Sequence, residues 1–149
     1  RNVPQGERER AEELRGRRRK LRERGESVHV ISKTHASCRN IGLGAVTAQH
    51  FIFSHVNRGA VKGWVVVDEC FTLETEIWCS LSKLTFFGTK FIVVGDSHQM
   101  EPIGDCWAGQ LTKSRLENSQ FLMHLCAGRR LQMKENKRYE PTAMILAQI

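Results

Sequence analysis

Two short, wholly apolar segments constrain the fold of this chain more than any other feature. They are "WVVV" at 64–67 and "FIVV" at 91–94, and acidic residues follow each of them closely. A strand that is apolar on both faces has to be covered on both sides, as in a parallel sheet packed between helices. The pattern therefore predicts buried parallel strands, with residues 90–96 containing a central one.

The segments around these strands predict a layered α/β domain. The β-branched run "VHVIS" at 28–32 predicts another strand, and "FLMHLC" at 121–126 is read as a fourth. Apolar spacing favours a helix within 47–59 and predicts a clearer one over 72–84. The face of that second helix consists of aliphatic residues: Leu73, Ile77, Leu81 and Leu84. Alternating strands and helices predict a three-layer α/β fold with a mostly parallel sheet.

Charge is distributed unevenly along the 149 residues. Of a net charge of +7, the segment 1–26 contributes ten Lys/Arg against six Asp/Glu. We interpret 1–26 as a basic polar leader with a helix and 27–149 as a single domain. A basic balance suits a polyanionic partner, because phosphate neutralisation releases counterions. A solvated, charge-rich helix without a partner explains the leader equally simply.

The cysteines and the hydropathy restrict the class of protein. Five cysteines include no CxxC pair, and the six histidines lack metal-ligand spacing, so neither a disulfide framework nor a zinc ribbon is expected. Free thiols predict an intracellular, reducing compartment. No stretch approaches the roughly 18 apolar residues of a membrane span, so no membrane partner is expected.

Chemistry-bearing residues follow the apolar strands. Asp68 and Glu69 come directly after one strand and Asp96 ends another, at the sheet edge where α/β proteins bind ligands. Such an Asp can hold the hydration shell of Mg²⁺, and the adjacent Glu can accept a proton from water. The amide of Gln99 can bridge a phosphate and that water. Two solvated carboxylates and a solvated loop amide are the simpler alternative.

At this point a family resemblance emerges. "WVVVDECFTLETEIWCSLSKL" at 64–84 and "KFIVVGDSHQMEPIGD" at 90–105 resemble motifs II and III of superfamily 1 helicases, closest to the Pif/RecD-like branch. Residues 33–42 resemble motif Ia, 47–52 motif Ib and 131–139 motif IV. The resemblance implies a RecA-like motor domain, specifically the first one, with ATP and Mg²⁺ as cofactors and single-stranded nucleic acid, DNA rather than RNA, as partner.

The resemblance also implies roles for particular side chains. Asp68 would bind Mg²⁺, Glu69 would activate the attacking water, and Gln99 would contact the γ-phosphate and couple hydrolysis to strand movement. Arg138 would stabilise transition-state charge. The nucleic-acid strand would run along a group of polar side chains: Thr34, His35, Thr47 and His50. Packing and capping for the two histidines, and a solvated basic face for Arg138, stay open as alternatives.

One family motif is missing from these 149 residues. They contain no Gly-Lys-Ser/Thr, and "PQGERERAEELRGRRRK" stands where the phosphate-binding loop belongs, so we expect a sandwich incomplete on its N-terminal side. The first reading is an ATP-dependent helicase fragment, inactive by itself. The second is a non-catalytic module that binds single-stranded nucleic acid. The third is another α/β phosphohydrolase, with Asp68 and Asp96 as metal ligands.

Overall fold

A four-stranded, all-parallel sheet forms the centre of the protein in the computed structural model, which describes residue 16 and residues 19–58, 61–96, 105–111 and 116–131. The strands follow in chain order: β1 (Val28–Ser32), β2 (Val46–Thr47), β3 (Trp64–Val67) and β4 (Lys90–Val93). Their spatial order is β2-β1-β3-β4. The strands predicted at 28–32, at 64–67 and within 90–96 are therefore confirmed, the last as Lys90–Val93.

Helices cover both faces of the sheet. They are α1 (His35–Ile41), α2 (Ala48–Ser54), α3 (Thr75–Ser82) and α4 (Gln120–Leu125). One core joins Val65 and Val67 of β3 to apolar residues of α2, α3 and α4. A second core, on the opposite face, joins Val66 to Ile41 of α1 and to Leu21. The fold is thus α/β with helical layers on both sides of a parallel sheet, compatible with a partial RecA-like sandwich.

The α3 segment follows the predicted pattern, with a later start. The helix begins at Thr75 instead of 72, because Cys70–Thr72 forms a 3₁₀ turn first. A second 3₁₀ turn, Lys83–Phe87, continues from its end. The predicted apolar face is nevertheless buried throughout: Leu73, Ile77, Leu81 and Leu84. Trp78 also enters the core and meets the ring of Phe121 edge-on at 5.9 Å.

Two sequence predictions about the sheet are wrong. Residues 121–126 lie in helix α4 and not in a strand, since Ser119 caps the helix by accepting a hydrogen bond from the Leu122 N–H. Leu122 and Leu125, three residues apart, turn one face of that short helix into the core. The strand within 90–96 is not central either, because β4 is an end strand of the described sheet.

The end of the basic leader packs against the amino ends of the strands. Residues 19–23 are helical, as expected of a leader with a helix, and Gly25, with φ 73°, follows the end of the helix. Glu26 then accepts a hydrogen bond from the Trp64 indole N–H and forms an ion pair with Lys90 at 3.3 Å. The Lys90 ammonium also lies 5.1 Å from the centroid of the Trp64 ring.

Beyond the sheet, strands β5 (Cys106–Trp107) and β6 (Gln110–Leu111) form an antiparallel pair. Among the residues that the structure describes, no helix is long and apolar enough to cross a membrane.

Candidate functional site

Strand register brings several of the predicted residues to one edge of the sheet. Ser32 pairs with Thr47 in the β1–β2 ladder. One step earlier in β1, Ile31 pairs with Val67, the last residue before Asp68. All of these strands are parallel, so their carboxyl ends meet at this edge. It is the edge at which open α/β sheets bind ligands.

Backbone hydrogen bonds fix Asp68 and Glu69 at this edge. The Asp68 N–H donates to the Ile31 carbonyl at 2.9 Å, which extends the ladder by one residue. The Asp68 side chain is buried, with only 4% of the residue exposed. Glu69 then adopts the left-handed conformation, φ 52° and ψ 41°, which is strained for a non-glycine residue. This left-handed conformation turns the chain, and the Cys70 N–H then donates to the Val94 carbonyl at 3.0 Å.

Two serine hydroxyls hold the Glu69 carboxylate. Ser37 of α1 donates to Glu69 Oε2 at 2.6 Å, and Ser32 of β1 lies 3.4 Å from the same oxygen. Ser37 Oγ is in turn 2.9 Å from Thr34 Oγ1. Hydrogen bonds therefore run from a residue predicted to touch nucleic acid to the residue predicted to activate water.

The electrostatics of α1 show the same proximity. Burial raises the pKa of the Cys38 thiol, and the nearby carboxylates of Glu69 and Asp68 raise it further. A thiolate forms less readily beside negative charge, because like charges repel. Helix α1 therefore lies close enough to both carboxylates for their charges to act on it.

Lys33 ties the end of β1 to the segment that follows Glu69. Its ammonium donates to the Thr72 carbonyl at 2.9 Å and forms an ion pair with Glu74. Sequence reasoning missed this lysine, as well as Ser32 and Ser37. A signal was present for Ser32 and Lys33, which lie at and just beyond the end of strand β1. Ser37 lies inside helix α1 and had no such signal.

The four residues predicted to contact the nucleic-acid strand lie after strand β1 and around the end of strand β2. Thr34 and Thr47 are helix N-caps, accepting hydrogen bonds from the backbone N–H groups of Ser37 and His50. His35 and His50 are exposed. The His50 Nε2 lies 3.3 Å from the Ser54 hydroxyl. The caps are therefore the two threonines and not the histidines, and both histidines keep accessible rings.

The described residues on either side of Gln99 make close contacts with the segment that follows Glu69. Gly95 packs so closely that a Cβ there would lie 2.5 Å from Cys70 Sγ. Its φ is not left-handed, so close approach and not a tight turn requires glycine. Past Gln99, the Asp105 carboxylate accepts hydrogen bonds from the Thr75 backbone N–H, at 3.0 and 3.1 Å, and hydroxyl, at 2.6 Å. Gln99 itself lies outside the described residues.

Of the two remaining predicted residues, the structure describes Asp96 but not Arg138. Asp96 follows β4 and is exposed, unlike the buried Asp68. Arg138 lies outside the described residues. In the described ranges, no group of three or more His, Cys, Asp or Glu residues is arranged to hold a metal ion. Mg²⁺ in nucleotide sites usually takes one or two carboxylates plus phosphate oxygens and water, so a single carboxylate such as that of Asp68 needs no cluster of three around it.

Comparison with known proteins adds no assignment. Neither a family model, a curated protein nor a solved structure matches this chain. What the site does has to be inferred from its own residues and geometry.

Proposed function

We propose that this chain is part of the first motor domain of an ATP-dependent helicase of superfamily 1, and that its residues bind single-stranded nucleic acid. The observation that carries the proposal is the convergence at one sheet edge. Segments resembling motifs Ia, Ib and II all reach that edge, and hydrogen bonds link Thr34 to Glu69 through Ser37. If these side chains were solvated groups without a shared role, nothing would require them to meet at one edge and to be joined by hydrogen bonds.

Mg²⁺ and ATP belong to the complete motor in this proposal. Asp68 would hold the metal, which supplies charge neutralisation to the phosphates. Glu69 would take a proton from water once its carboxylate is free of the serine hydroxyls. Residues 1–149 contain no Gly-Lys-Ser/Thr, the sequence of the loop whose backbone N–H groups form a preorganised nest for the phosphates. We therefore expect negligible ATP hydrolysis by this chain alone.

A second candidate is a non-catalytic module that binds single-stranded nucleic acid on the same scaffold. The absent phosphate-binding loop favours it, and so does the engagement of Glu69 by Ser37 at 2.6 Å. The two candidates share their nucleic-acid interface and differ in the use of Glu69. Joining the chain to a segment that carries a phosphate-binding loop distinguishes them. A helicase fragment then hydrolyses ATP in a Glu69-dependent manner, whereas a binding module does not.

The binding proposal is tested with a fluorescein-labelled oligothymidylate and the full chain. We expect the fluorescence anisotropy to report binding. The logarithm of the association constant should fall linearly with the logarithm of the salt concentration, with a slope of about −0.7 for each phosphate neutralised. The replacements His35→Ala and His50→Ala should each weaken binding about three- to tenfold, if their rings contact the strand. Oligouridylate in the same assay compares RNA with DNA.

The control uses a histidine away from the predicted strand path. His124 is exposed on α4, so His124→Ala removes a ring of the same kind without weakening binding. Affinity that does not change with salt, or an equal loss in all three variants, would contradict the proposed interface.

A further inference from the structure

The hydroxyl groups between Thr34 and Glu69 form a continuous hydrogen-bonded chain. Thr34 Oγ1 and Ser37 Oγ are 2.9 Å apart, and Ser37 Oγ is 2.6 Å from Glu69 Oε2. Thr34 Oγ1 also accepts the Ser37 backbone N–H at 3.1 Å. The sequence separations are 3 residues for the first pair and 32 for the second, so tertiary packing creates the chain.

Proton counting gives this chain a single direction. An ionised carboxylate only accepts hydrogen bonds, and a serine hydroxyl has one proton to donate. Ser37 therefore donates to Glu69, and the bond between the two hydroxyls has to use the proton of Thr34. In this state Thr34 has no proton left for a phosphate oxygen.

We propose that Ser37 is a positioning residue for Glu69 whose single proton couples strand binding at Thr34 to the release of the carboxylate. When Thr34 donates its proton to a phosphate oxygen of the strand, Ser37 loses its donor. The bond from Ser37 to Glu69 is then no longer reinforced by a bond from Thr34, because hydrogen bonds in a chain polarise one another. The weakened Ser37 hydroxyl turns to donate to Thr34 Oγ1, which has a second lone pair available. Glu69 keeps only the longer contact to Ser32. This inference rests on the proposed function, because it requires a strand phosphate at Thr34.

The two arrangements satisfy what a coupled pair of sites needs. The Ser37 proton goes to Glu69 in one arrangement and to Thr34 in the other. The nucleic-acid strand binds well only to the second, in which the Thr34 proton is free for a phosphate. Glu69 is held by Ser37 without the strand and released with it, so water activation is confined to the strand-bound state. Reciprocally, holding Glu69 opposes strand binding.

A binding cycle on the full chain tests this coupling with the labelled oligothymidylate. Ser37→Ala frees the Thr34 proton and should tighten binding about fivefold, because the strand phosphate no longer competes with the Ser37 hydroxyl for that proton. Glu69→Gln should tighten it similarly, because a neutral amide holds the Ser37 proton less strongly. The double variant should gain little beyond either single change, since both remove the same competing bond. Ser37→Thr restores the hydroxyl and should return the affinity to that of the natural chain.

Removing a negative charge also favours a polyanion, so a charge control is required. Glu76 is exposed in the first turn of α3, and Glu76→Gln removes one charge away from the hydroxyl chain. Its effect should shrink as salt is raised, whereas the gain from Ser37→Ala, which changes no charge, should persist. If Ser37→Ala loses its fold by circular dichroism, Glu69→Gln measured against Glu76→Gln provides the same test.

A second measurement follows the carboxylate directly. The carbon-13 chemical shift of the Glu69 side-chain carboxyl should move when oligothymidylate binds, and should stay unchanged in Thr34→Val, which has no hydroxyl proton to give. Salt-dependent binding with additive or absent effects of Ser37 and Glu69 would overturn the coupling alone. No binding at all would overturn the proposed function, and the coupling with it.

Discussion

Replacing Gly95 by alanine would place a methyl group where the structure leaves no room for one. The added Cβ would lie 2.5 Å from Cys70 Sγ, 2.9 Å from a ring carbon of Phe71 and 3.1 Å from the Cys70 backbone nitrogen. Cys70 is only 2% exposed, so its sulfur has no solvent to move into. The segment that directly follows Glu69 would have to shift.

The magnitude follows from two opposing terms. Overpacking a filled site costs about 1–3 kcal/mol, while alanine reduces the freedom of the unfolded chain by about 0.4–1 kcal/mol. Because two of the three contacts fall below any normal Cβ distance, we expect a net loss of about 2 kcal/mol. For a chain of this size, that lowers the Tm by roughly 4–8 °C.

Urea denaturation of a double-mutant cycle tests the proposed cause. Cys70→Ala alone should cost about 1 kcal/mol, but in its background Gly95→Ala should cost at least about 0.5 kcal/mol less, because the sulfur has gone. Gly44 is the control: its φ is +68° with nothing within 4 Å. Gly44→Ala should cost about 1 kcal/mol from backbone conformation, equally in both backgrounds. A Gly95→Ala penalty that Cys70→Ala leaves unchanged would refute the reasoning.

Two further predictions concern side chains that join distant segments. Asp105→Ala should lower the free energy of unfolding by about 1–2 kcal/mol, because α3 loses the hydrogen-bond acceptor at its start. Asp105→Asn keeps an acceptor oxygen and should lower it less. Equal losses for the two variants in urea denaturation would count against the capping role. The Trp64 indole N–H and the Lys90 ammonium hold the pKa of Glu26 below its ordinary value of 4.5. The Glu26 carboxylate therefore stabilises the fold above pH 4.5, and this contribution is lost as the pH falls through its lowered pKa. Glu26→Gln should accordingly flatten the acid side of a curve of stability against pH. An unchanged acid limb would contradict this.

Much of the fold could be predicted because the signals are local. In β3, an apolar run without a polar face predicts burial on both sides, and Val65 and Val66 indeed enter opposite cores. The burial of the predicted α3 face likewise follows from spacing alone. Both patterns reflect periods of two and 3.6 residues, which the chain itself sets.

The errors lie where local signals compete or end. "FLMHLC" has too few residues for its period to separate strand from helix, and the Ser119 cap decided the outcome. A glycine such as that of "VVGD" usually indicates a turn, whereas the φ of Gly95 is ordinary and the tight contact with Cys70 explains it. That contact depends on which strand lies beside β3, which no local pattern encodes.

By itself, the sequence determined where apolar strands end and acidic residues begin, because burial and period are properties of neighbouring residues. The pairing of Glu69 with Ser37, and through it with Thr34, was decided only by the tertiary structure. The order β2-β1-β3-β4 brings α1 beside the end of β3. A left-handed turn at Glu69 then sets where its carboxylate lies relative to that helix. Hydrogen-bond partners depend on strand order and register, which arise only when the whole sheet assembles.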